Sequence, residues 1–139
     1  MGKLEEIKTT ALKQIHTDGG DVYHAMKNTD MGFDGFGEAY FSWLVPKAVK
    51  AWKMHTRMTM NLIVPVGIAK FVFHDPDANS FREESIGVAN YARLTVPPGI
   101  WFGFSGTSMQ HTLILNIANL AHDANEVLRK DKQYFPYPW

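Results

Sequence analysis

Short runs of alternating or β-branched residues, each closed by glycine, proline or an Asp-Gly turn, fill this chain almost from end to end. That punctuation leaves room for little besides strands. "TTALKQI" (9–15) reads as an edge strand stopped by "TDGGD", and "DVYHAMK" (21–27) as its successor before a Gly- and Asp-rich loop. "EAYFSWL" (38–44) sets Glu38, Tyr40 and Ser42 against Ala39, Phe41 and Trp43, and "AVKAWKMHT" (48–56) follows Pro46. "MNLIVPVG" (60–67) and "AKFVFHD" (69–75) meet at Gly67, the expected site of a tight turn. A polar loop is expected over 75–85, then "YARLTV" (91–96), the turn "PPG", "IWFGFSG" and "HTLILNIAN" (111–119). One short helix is expected at "HDANEVLRKD", with Asp123 as N-cap and Glu126 three residues on as the other half of a capping box. The closing "KQYFPYPW" should lie in a groove without regular structure. About nine short strands and a single short helix make an all-β barrel or two-sheet sandwich.

Length and charge narrow the function classes. A chain of 139 residues with 45% hydrophobic content reads as one domain, 1–139, with a real core. Fourteen basic and fourteen acidic residues cancel, so no cationic field is on offer to nucleic acid or an anionic membrane surface. Any anionic ligand would be met by a few placed side chains. Without cysteine there is no disulfide or thiolate–metal framework, which suits the cytoplasm. The start "MGKLEEIKTTALKQ" lacks an apolar signal region, and no run reaches the ~18 apolar residues of a membrane span.

"KAWKMH" (50–55) is the anomaly. Alternation puts Lys53 and His55 on one face of a strand and Lys50, Trp52 and Met54 on the other. If the first face looks inward, an ammonium and an imidazole share a barrel interior, where desolvating a cation is costly unless something compensates. A lysine so placed can serve as a base, or as an amine facing a carbonyl, with its pKa lowered by burial. The alternatives are a bulge that turns Lys53 outward, or a buried stem with the head in water. His55 carries an imidazole, a group whose reference pKa suits proton transfer, or else is a hydrogen-bonded core histidine.

"KAWKMHTRMTMNLIVPVG" taken with "TVPPGIWFGFSG" resembles a cupin of the dTDP-4-dehydrorhamnose 3,5-epimerase type. The first strand is close to the Trp-His-x-His of shorter relatives, and Pro97-Pro98-Gly99 precedes a Gly103-Phe104 pair. "FGEAYFS", "LAHDANE" and the closing "PYPW" also resemble that shorter group, so the likeness covers most of residues 10–139. It implies a jelly-roll homodimer binding a nucleotide-linked 4-keto-6-deoxyhexose, from which a proton beside the ketone is removed and returned. Such chemistry needs a base, a donor for the enolate oxygen and an acid across the ring.

Residue by residue the resemblance puts Lys53 at the family's base histidine, Asn61 at its lysine and Asn116 at its tyrosine. Phe102 stands at the histidine of the Pro-x-Gly-x-x-His stretch, and Asp18-Gly19-Gly20 lacks the family's early arginine. Lys50 holds the place of a phosphate-facing arginine, and Arg57 is a second cation for a diphosphate. Lys53, His55, Asn61 and Asn116 are therefore the expected catalytic set. Glu38, Tyr40, Lys50, Arg57, Phe102 and His122 are the expected substrate contacts. No metal and no cofactor is expected, because one histidine cannot supply a three- or four-ligand site. A non-catalytic nucleotide-sugar binder, and a lyase or cyclase using Lys53 as an amine, are the rival readings.

Overall fold

The computed structural model describes residues 2–139. Twelve strands run in chain order: β1 (Lys8–Ala11), β2 (Gln14–Thr17), β3 (Gly20–Tyr23), β4 (Glu38–Leu44), β5 (Val49–His55), β6 (Met60–Val66), β7 (Ile68–Asp75), β8 (Ser80–Gly87), β9 (Ala92–Val96), β10 (Trp101–Gly106), β11 (Thr112–Ala118) and β12 (Val127–Arg129). They form two five-stranded antiparallel sheets, β1-β9-β6-β11-β4 and β12-β5-β10-β7-β8, and a separate β2-β3 hairpin. The sheets close over one apolar core drawn from both, including Leu62, Val64, Phe71, Phe73, Leu94 and Ile114. This is the expected all-β jelly roll.

Alternation decides which side chains enter that core. On β4, Glu38, Tyr40 and Ser42 turn inward while Phe41 and Trp43 stand outside, each more than half exposed. Gly67 makes the β6–β7 turn at φ 80°; a Cβ there would lie 2.5 Å from Thr112 Oγ1, so both conformation and space demand glycine. Gly99 supplies the positive φ of the Pro-Pro-Gly turn in the same way.

The outer face of the second sheet is sealed by the chain's end. Trp52 and Met54 leave β5 on that side and pack with Val72, Trp101 and Phe135. Tyr137 and Trp139 complete the layer, with ring centroids 6.4 and 5.5 Å from Trp52. The tail has no regular structure, as its two prolines require.

Four expectations about elements need correction. The run 9–15 breaks at Leu12-Lys13 into β1 and the start of β2, and the strand expected over 21–27 ends at Tyr23. Residues 80–85, expected as part of a polar loop, belong to strand β8, the edge of its sheet. Its charges are those an edge tolerates: Arg82 bonds Glu84 (2.9 Å) and the carbonyls of Leu4 and Ile7, and Glu83 accepts from the Tyr137 hydroxyl. The short C-terminal helix is absent: Asp123 does cap a turn by accepting from Asn125 N–H, but only the 3-10 turn Ala124–Glu126 follows before β12. Glu126 points into the protein instead of back to its cap.

Candidate active site

A cavity of about 320 Å³ lies between the sheets, floored by Met60, Leu62, Phe71, Phe104 and Ile114. Glu38, Tyr40 and Ser42 enter it from β4, Lys53 and His55 from β5, and His122, Asp123 and Glu126 from the turn before β12. Apolar floor and polar wall together make a site that can hold a sugar-sized ring and act on it.

His55 is held by a buried carboxylate. Its side chain is 11% exposed, its ring stacks on Phe102 at 5.9 Å, and its Nδ1 bonds the carboxylate of Glu126. Glu126 is buried, and its other oxygen accepts the backbone N–H groups of Arg57 (3.0 Å) and Met58 (3.1 Å). Burial alone would raise this carboxyl; the hydrogen bond from His55 and those two amides outweigh it and hold Glu126 below the ordinary carboxylate range. The ionised carboxylate fixes the hydrogen on Nδ1 and leaves Nε2 as the free acceptor.

A second chain of bonds aims a hydroxyl. Asn116 Oδ1 accepts from Asn61 N–H (3.1 Å), which fixes the amide's orientation, so its Nδ2 donates to the Tyr40 hydroxyl oxygen (3.0 Å). Asn116 and Tyr40 are direct cross-strand partners on β11 and β4. With its oxygen already accepting, Tyr40 is free to donate its own proton into the cavity.

Lys53 completes the polar wall. Its pKa is lowered, first by burial and then by the nearby cations of Arg129 and Lys50. It pairs across the sheet with Arg129, which also lines the cavity. Among the described residues no three His, Asp or Glu side chains converge as metal ligands would.

The expected site residues divide accordingly. Lys53, His55, Asn116, Glu38, Tyr40, Phe102 and His122 all line the cavity. Glu38 accepts from the backbone N–H of His122 (2.9 Å) and so ties the β12 turn to β4. Asn61 does not belong: Met60 and Leu62 face the cavity, so Asn61 faces the opposite way. It is buried there between Gly32 O and Thr95 Oγ1. Arg57 also points away, paired with Asp123 at 2.9 Å in an exposed position. Lys50 lies outside the cavity, on a neighbouring bay. Glu126 was missed because its spacing from Asp123 fits a capping box; the signal that could have found it is its place in a segment, "LAHDANE", resembling the shorter cupins.

No protein-family model and no curated protein matches the chain. Solved structures do. A dTDP sugar isomerase from Desulfovibrio desulfuricans G20 superposes with a TM-score of 0.92 at 34% identity, over 97% of this chain and 91% of that one. The sugar 3,4-ketoisomerase QdtA from Thermoanaerobacterium thermosaccharolyticum, in complex with TDP, gives 0.78 at 18%, over 96% and 94%. The dTDP-4-dehydrorhamnose 3,5-epimerase from Bacillus anthracis strain Ames gives 0.82 at 16%, over 100% and 87%. The two remoter likenesses establish the shared jelly roll, and the 34% identity over nearly the whole of both chains establishes kinship: this chain belongs to the dTDP-sugar isomerase family of cupins.

Proposed function

We propose that the protein transfers a proton next to the ketone of a nucleotide-linked 4-keto-6-deoxyhexose, with His55 as base. The observation that carries this reading is the buried Glu126 carboxylate on Nδ1 of an imidazole that lines a sugar-sized cavity. His55 Nε2 takes the proton from the carbon beside the ketone, and the C–H electron pair moves into the enolate. The ammonium of Lys53 or the hydroxyl of Tyr40 stabilises the enolate oxygen. Returning the proton to the same carbon from the other face gives an epimer; returning it to the former carbonyl carbon, while the hydroxyl on the neighbouring carbon passes its proton to the enolate oxygen and becomes the carbonyl, moves the ketone. Both outcomes share the first step. Glu126 and Asn116 are positioning residues for His55 and Tyr40.

Incubation with dTDP-4-keto-6-deoxyglucose in heavy water, followed by proton NMR, tests this. Loss of the signal of a proton beside the ketone is expected, and the product spectrum separates epimer from ketone isomer. An unchanged spectrum with this and other nucleotide forms of the sugar contradicts the proposal.

Further expectations belong to the same reading. The protein works as a single-domain homodimer, supported by the exposed apolar Phe41 and Trp43 on edge strand β4 and Val45 just beyond it. It works in the cytoplasm, consistent with a cysteine-free chain in which no helix among the described residues is long and apolar enough to cross a membrane.

A further inference from the structure

Lys53 is half-buried on the cavity wall, and the chain gives its ammonium no counter-charge. No ion pair among the described residues involves it. The cavity carboxylates are engaged elsewhere: Glu126 with His55 and two backbone amides, Glu38 with His122 N–H, Asp123 with Arg57. Across the sheet its direct partners are Arg129 on β12 and Phe102 on β10. The first repels a proton on the amine, and the second offers hydrocarbon where a charge needs water. Burial, then Arg129, then Lys50 lower its pKa. A lysine meant to work as an ammonium would have a carboxylate beside it. These surroundings favour the opposite form, an amine with its lone pair free.

The position suits such an amine. Lys53 and His55 share the inner face of β5, about 7 Å apart along the strand. The ring of Phe102 stacks on that of His55 at 5.9 Å, so both groups enter the cavity past one apolar ring. Tyr40 enters from β4 in the facing sheet, its hydroxyl proton left free by Asn116. A nucleophile, a base and a hydrogen-bond donor for oxygen therefore line one chamber with a hydrocarbon floor.

We infer that Lys53 is a nucleophilic amine that condenses with the ketone of the bound sugar, so that His55 removes the neighbouring proton from a protonated imine. This rests on the proposed function for the identity of the sugar, whereas the amine itself needs only a carbonyl compound. The amine lone pair forms the C–N bond, and the C=O pair moves onto oxygen, which Tyr40 holds by donating to it. The proton leaving nitrogen passes through His55 to that oxygen. A second proton, from solvent, carries the oxygen off as water and leaves the C=N bond with a positive nitrogen. His55, neutral again, takes the proton from the adjacent carbon, and the C–H electron pair runs into that nitrogen to give an enamine. Reprotonation of carbon and return of water release the sugar and the free amine. The imine nitrogen carries a full charge that the ketone oxygen lacks, which makes it the better electron sink. With Lys53 absent, Tyr40 and His55 still support the slower route through the enolate.

Two probes test this on the wild-type protein. Acetylacetone, a diketone whose imine rearranges to a stable enaminone absorbing in the near ultraviolet, reads the amine without the sugar. It should modify Lys53 ahead of every other lysine, located by peptide mass spectrometry, with a rate that levels off at a pH below the ~10.4 of an ordinary lysine. In Lys53→Met and Lys53→Arg that fast reaction should vanish. The second probe, dTDP-4-keto-6-deoxyglucose with cyanoborohydride, should add its own mass less one oxygen atom at Lys53. In oxygen-18 water the ketone oxygen should exchange about tenfold or more faster with wild type than with Lys53→Arg, which keeps charge and stem but forms no imine. A merely electrostatic lysine leaves that ratio at one. The imine is wrong if acetylacetone leaves Lys53 unmodified, if Lys53→Arg exchanges the ketone oxygen as fast as wild type, or if the sugar exchanges its proton yet leaves no adduct. Proton exchange without an adduct keeps the proposed function standing; enaminone at Lys53 without proton exchange on the sugar does the reverse.

Discussion

The two faces of β5 do opposite jobs with adjacent residues. On the outer face Trp52, 1% exposed, is locked under Phe135, Tyr137 and Trp139. On the inner face Lys53 and His55 sit in a cavity, one partly desolvated among cations and the other tied to a buried carboxylate. A strand whose outer side is sealed by aromatic packing can hold polar groups inside at a cost in stability, because the packing fixes their positions. The comparison teaches that stability and chemistry are separated here by one residue of register.

Truncating the outer face should therefore cost the most. Trp52→Ala removes the centre of the aromatic layer and is expected to destabilise the protein by about 3–5 kcal/mol, measured by denaturant unfolding. If activity fell with stability intact, the division between the faces would be wrong. On the inner face Glu126→Gln should lower turnover by about 10–100-fold, because His55 loses the partner that sets its tautomer. It also carries a pH signature. The Glu126 pKa is depressed in the folded state, so its contribution to stability is full above the unfolded value and is lost as pH falls through the folded one. The wild type should lose more stability on acidification than the variant does.

Tyr40→Phe keeps the ring and removes the hydroxyl that Asn116 aims, and about a tenfold drop in kcat with KM little changed is expected. The smallest effect should come from Lys53→Met. The folded-state pKa of Lys53 is depressed, so the charged amine opposes folding at neutral pH and this penalty fades as pH rises. The variant should be more stable than wild type at neutral pH by less than about 1 kcal/mol. That advantage should shrink in alkaline buffer.

Local alternation grouped Glu38 with Tyr40 and Ser42, and Lys53 with His55, each set on one face of a strand; that these faces look inward came from the resemblance and not from period two. β8 was not legible because an edge strand is written in charges that read as loop. Asn61 was misplaced by a single step of register, enough to move a side chain to the other side of a sheet. Glu126 and Arg129 escaped for a different reason. Each gains its role from pairing between β12 and β5, segments far apart in the chain, and no local pattern reports a contact of that kind.

The central claim is that the Glu126-held imidazole, and not the amine two residues away, removes the proton. Hydrogen–deuterium exchange beside the ketone, followed by NMR in His55→Asn and Lys53→Met side by side, tests it most directly. Loss of exchange by at least about 10²-fold in His55→Asn, with slowed but measurable exchange in Lys53→Met, is the predicted result. Exchange at the wild-type rate in His55→Asn would contradict it.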